Sequence, residues 1–240
     1  LQKHNAKVDF LKFGNDNNYI LEDNIDNINQ TLKNHYLKQE YSLAAELLMA
    51  KQNEIDPVLF HFQLGTVLYK LGDFAKARYH FEQAQILGMS GSEIKNNLSV
   101  VKQHLSVDQH EQIESYAASI TYNLYHWSNY SYVSIVLVLL FLAGLAKYFK
   151  KPIYIVISLI CLASAPITFW LVKTNNVTIA VTKTETAVHE GPSEAFSSVR
   201  KIGAGTKVIS TKRDGEWYLI DYPDNFVGWI KHENLYEIKR

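Results

Sequence analysis

The feature that most constrains this chain is a long central stretch with almost no charge. Residues 116–146 carry no formally charged side chain, and 152–172 form a second uncharged run. A bilayer span needs about 20 apolar residues at ~1.5 Å rise each, and both runs meet that length. Tyr122, Tyr125, Trp127, Tyr130 and Tyr132 lead into the apolar run 133–146 as an interfacial aromatic belt would. The sequence therefore predicts a multidomain membrane protein. Its transmembrane helices are expected at 127–149 and 152–172, with membrane lipid as a partner. Pro166 can kink the second helix, since neighbouring helices satisfy the freed carbonyl. The alternative, a helical hairpin buried in a soluble core, is disfavoured because two such spans are hard to bury in 240 residues.

Charge sets the expected orientation. Lys147, Lys150 and Lys151 crowd the loop between the two runs, whereas Asp108, Glu111 and Glu114 precede them. The positive-inside rule then predicts a multi-pass protein with that loop inside, in a double-membrane bacterium one of the inner membrane. Its short basic loop would be cytoplasmic and both soluble modules periplasmic. Residues 1–115 carry eleven Lys/Arg and fifteen Asp/Glu, and 177–240 carry nine of each. That balance argues against nucleic acid as a partner, because phosphate binding needs a basic patch. Cys161 is the single cysteine, so neither an internal disulfide nor a cysteine-based metal site is available. No signal peptide is visible in residues 1–13, which lack an apolar core of useful length.

Ahead of the uncharged stretch the pattern is helical and repeated. Gly65, Ala77 and Ala84 are small enough to let two helices approach closely, and Leu64, Leu68, Phe74 and Phe81 can fill the space between them. Gly72 can end the first helix in a left-handed cap and Asp73 can start the second. Tyr41, Ala44 and Leu48 precede Phe74, Ala77 and Phe81 by 33 residues each, with Gln39-Glu40 at the earlier turn. This spacing resembles the tetratricopeptide repeat, and 28–115 is read as such a module with a further or capping helix at 92–105. Residues 1–27 are an arm or a capping helix. An all-α solenoid of this kind presents a concave surface. The repeat positions put Lys33, Tyr36, Phe62, Tyr69 and Lys70 there as candidate partner-binding residues; a plain spacer is the alternative.

After Lys173 the alternation changes to a period of two. Runs at 177–182, 206–211 and 216–222 alternate, and Asp214-Gly215 marks a tight hairpin. Gly191-Pro192-Ser193, Gly205-Thr206-Lys207-Val208, Gly215-Glu216-Trp217-Tyr218 and Gly228-Trp229-Ile230 resemble the bacterial SH3-like domain, which implies an all-β barrel over 177–240. Ala187-Val188-His189-Glu190 stands where that family often has Asn-x-Arg. Trp217, Tyr222 and Trp229 are candidates for a ligand face. For the two tryptophans, however, barrel core is the favoured reading, because a small barrel needs large residues to fill it.

No catalytic constellation is visible, and no enzyme or cofactor is expected. His104, Asp108 and Glu111 share a helical face by spacing, but a solvated face explains them better than a metal site. The order of parts resembles the BatE-type proteins of the Bacteroides aerotolerance operon. That resemblance implies a non-enzymatic scaffold or adaptor that binds partners in an envelope stress complex. The implied partners are Bat-type proteins with von Willebrand factor A domains and, indirectly, a MoxR AAA+ ATPase. The alternative is an envelope sensor or tether holding peptidoglycan through the SH3-like domain.

Overall fold

The computed structural model describes residues 22–105 and 177–239, with short helical pieces at 138–142, 144 and 147–148. The chain divides into a unit of Leu1–Ile113 with Thr178–Arg240 and a second unit of Glu114–Val177. The described helices and strands discussed below all belong to the first.

Five helices run in sequence: α1 (Glu22–Leu37), α2 (Tyr41–Ala50), α3 (Pro57–Lys70), α4 (Phe74–Ile86) and α5 (Ser92–Leu105). Their limits follow from local chemistry. Asp56 caps α3 by accepting from the backbone N–H of Val58 and Leu59, and Pro57 occupies the first turn, where its missing N–H costs nothing. Gly72 closes α3 at φ +83°, which lets the N–H of Asp73 reach back 3.0 Å to the carbonyl of Leu68. The Asp73 side chain then accepts from the N–H of Lys76 and starts α4. The α1–α2 turn is built the same way with less suitable residues. Gln39 takes the left-handed conformation at φ +62°, and the Glu40 carboxylate caps no N–H but meets Nδ1 of His35 at 2.7 Å.

Consecutive helices pack through an apolar cluster. Leu32 of α1, Ala44 and Leu48 of α2, Leu64 and Val67 of α3, Ala77, Phe81 and Ala84 of α4, and Ile94 and Val101 of α5 are all buried in it. Gly65 lies directly against the ring of Phe81; a Cβ there would sit 2.8 Å from two ring carbons.

Seven strands form one antiparallel sheet in the order β3-β2-β6-β5-β4-β1-β7. They are β1 (Thr178–Thr182), β2 (Thr186–His189), β3 (Ser198–Ile202), β4 (Lys207–Asp214), β5 (Trp217–Tyr222), β6 (Gly228–Lys231) and β7 (Leu235–Ile238). Gly215 and Glu216 connect β4 to β5, with Asp214 paired to Trp217 across the turn. The apolar core of the sheet holds Ala180, Val188, Ile202, Val208, Tyr218, Ile220, Phe226, Ile230 and Leu235.

The expected fold class is corrected here. The architecture is a set of N-terminal helices followed by a C-terminal antiparallel sheet. Among the described residues no helix is long and apolar enough to cross a membrane. The longest of the five, α1, has 16 residues, about 24 Å against the ~30 Å of a hydrocarbon core. The spans expected at 127–149 and 152–172 lie outside the described residues apart from the short helical pieces. The helices and the sheet both fall in the first compact unit.

Candidate functional site

The outward face of the sheet is set by register. Trp217 of β5 lies opposite Lys231 of β6, and Leu219 lies opposite Trp229. Alternation then turns Tyr218, Ile220 and Ile230 into the apolar core and turns Trp217, Leu219, Trp229 and Lys231 to the other side. The two indoles lie on that other face, outside the core cluster. Each is nonetheless only 9% exposed, because long side chains lie across them. Lys231 Nζ sits 5.7 Å above the Trp217 ring, and Lys212 Nζ sits 5.6 Å above Trp229. Such contacts hold cation and ring together while the ammonium stays wet. Tyr222 is buried at the end of β5 opposite Ile209.

Beside Trp217 a pocket of 180 Å³ opens between β2, β5, β6 and the turns that flank them. His189, Glu194, Trp217, Lys231, Glu233 and Asn234 contribute to its walls. His189 meets the Trp217 ring edge-on at 5.2 Å, and its Nδ1 lies 3.0 Å from the carbonyl oxygen of Phe196. Lys231 donates to the Glu194 carboxylate and has Glu233 at 3.7 Å. That hydrogen bond from Lys231, with its charge, holds the Glu194 carboxyl below the usual range; the same bond from Glu194 raises Lys231. The result is an indole wall with both signs of charge at its rim. Such a site can lay an apolar or backbone surface on the ring and fix its orientation by polar contacts.

A second candidate surface lies on the helices. Lys33 is exposed on α1, and Tyr36 is half-buried with its ring edge-on to Tyr41 at 5.4 Å. The Tyr36 hydroxyl is pushed up to about 12 by burial first, then by the nearby Tyr41 and Tyr69. Tyr69 meets Nε2 of His104 at 2.9 Å, and Lys70 Nζ lies 5.8 Å from the Tyr69 ring. The structure thus brings Tyr36, Tyr69 and Lys70 to one region. Phe62 is corrected out of this surface. It is 1% exposed and packs on Phe81 at 5.8 Å between ring centres, because its position on α3 faces the α4 side of the hairpin. His104 stacks on Phe74 at 4.6 Å; Asp108 and Glu111 lie outside the described residues.

Sequence reasoning missed His189, Glu194 and Lys231. Lys231 was within reach, since it follows Trp229 by two residues and must share its face. His189 and Glu194 were not, because only strand pairing brings the β2 end and its following turn against β5 and β6.

The sheet, its register and the ring-walled pocket define a small β-sheet binding module. Residues 184–236 match the bacterial SH3 domain family. This is a binding domain and not a catalytic one. No curated protein and no solved structure matches the chain.

Proposed function

We propose that this protein is a non-catalytic binding component of the bacterial envelope that holds a peptide through its SH3-like pocket, with the peptide of peptidoglycan as the ligand class. The observation that carries this reading is the Trp217 pocket. An indole is turned outward from the core, kept in place by His189 and Lys231, and edged by carboxylates and an ammonium. A stem peptide offers small apolar side chains for the ring and amide, amine and carboxylate groups for the rim. The test uses the full chain with purified sacculi in a co-sedimentation assay. Wild type is expected to sediment with the sacculi, and Trp217→Ala to stay in the supernatant while keeping its circular dichroism spectrum. Equal sedimentation of the two would place the ligand elsewhere.

The aromatic and cationic helical surface around Tyr36, Tyr69, Lys33 and Lys70 favours a second, protein partner. A scaffold role beside von Willebrand A-domain proteins and a MoxR-type ATPase draws its support from the order of parts alone. Recovery of such a protein in stoichiometric amount, lost in a Tyr36→Ala/Tyr69→Ala variant, is the outcome that would support it.

A further inference from the structure

We infer that the helical part and the SH3-like sheet are one cooperative body, latched through α4, so that the sheet does not open independently of the helices. The two ends of the sheet differ. At β3, Ser198, Val199, Arg200 and Lys201 are exposed. At the other end, just past β7, the side chain of Gln83 on α4 pairs with the backbone of Lys239. Its amide nitrogen donates to the carbonyl of Lys239, and its amide oxygen accepts from the Lys239 N–H at 2.8 Å. Both backbone groups of Lys239 are thereby satisfied from the helix, which ties the C-terminal end of β7 to α4.

The rest of the contact is buried and charged. Arg78 of α4 is 0% exposed, and its Nη1 donates to the carbonyl of Gly205 at 2.7 Å, across from helix to sheet. Glu82, one turn on, stands between Arg78 Nη2 at 3.5 Å and Lys207 Nζ of β4 at 3.8 Å. Buried charges are tolerated only when they are paired and hydrogen-bonded. Separating the two parts would take Glu82 from Lys207 and Arg78 from its carbonyl, and that couples their stabilities. Tyr79 stacks on Tyr236 of β7 at 5.2 Å, and Gly205 has no room for a Cβ because Leu105 of α5 fills the space. Nothing in the SH3-family match, which covers 184–236 alone, includes these helical partners.

Hydrogen–deuterium exchange on the full chain, read by mass spectrometry, tests this. One variant weakens the helical core and the other removes a contact between helices and sheet. Leu64→Ala weakens the α3–α4 core, and Gln83→Ala removes the bonds to Lys239 while leaving the Gly65–Phe81 contact in place. In both, exchange in β1 and β7 is expected to speed by about tenfold or more, together with α4. The inference is overturned if β1 and β7 keep wild-type exchange while α3 and α4 speed up in Leu64→Ala. It is equally overturned if Gln83→Ala leaves both parts unchanged. The readout needs no ligand, so its failure is separate from failure of the peptide-binding reading.

Discussion

Nδ1 of His61 on α3 lies 2.8 Å from Nδ1 of His80 on α4, so a single proton joins two imidazoles across the helical hairpin. Phe60 and Tyr79 flank the pair. Burial lowers His61 to about 4; burial, then the charges of His61 and Lys76, lower His80 to about 3. Both rings are thus neutral in the fold, whereas the unfolded chain takes up protons near the ordinary value of 6.5. Stability from this pair is complete above about pH 6.5 and falls as pH drops toward the folded-state values, because the unfolded state then binds more protons. The urea midpoint should be lower at pH 5 than at pH 7.5. In His80→Leu that pH dependence should shrink. An unchanged slope would mean that other groups carry it.

Gly65 should not accept a methyl group. Alanine gains about 1 kcal/mol of helix propensity over glycine, but its Cβ would sit 2.8 Å from two carbons of the buried Phe81 ring and 3.2 Å from the Ala77 carbonyl. Overpacking of this kind costs about 1–3 kcal/mol. Gly65→Ala is expected to be destabilising by about 1 kcal/mol net in equilibrium urea unfolding. A raised midpoint would show that the Phe81 ring gives way.

At the earlier turn the expectation has the opposite sign. Gln39 holds φ +62° with a Cβ that disfavours it, and left-handed backbone costs a non-glycine residue about 1–2 kcal/mol. Part of that is offset by the greater entropy glycine loses on folding. Gln39→Gly should therefore stabilise by up to about 1 kcal/mol in the same unfolding assay. Gln39→Ala should not stabilise.

Glu194 and Lys231 separate binding from stability. Their pairing is at the surface, where ion pairs contribute little to folding. Glu194→Gln is expected to leave the unfolding midpoint unchanged. It should weaken sacculus co-sedimentation, since it removes a carboxylate from the rim of the Trp217 pocket. An unaltered sedimentation profile would take Glu194 out of the site.

Local chemistry was legible in the amino-acid order. Gly72-Asp73 marks the α3–α4 turn because few residues take a left-handed cap and few cap a helix so well. Gly65 and Ala77 announce close helices, and Asp214-Gly215 announces a hairpin, since each acts on its neighbours in sequence. The bacterial SH3 pattern over the C-terminal part was legible for the same reason, its turns and aromatics lying at short spacings. Tertiary structure alone decided what depends on partners far along the chain. Periodicity put Phe62 on the concave surface, but its packing on Phe81 buries it. Large apolar rings suggested buried positions for Trp217 and Trp229, and both are buried, but strand pairing between β5 and β6 sets them on the face crossed by Lys231 and Lys212, outside the core cluster. Nothing in the local sequence marks Arg78 for burial; it is buried where α4 meets the sheet and its guanidinium reaches the Gly205 carbonyl. A one-residue change of register reverses a strand's faces, and a buried charge is defined by what covers it. Neither is written in the spacing of residues along one segment.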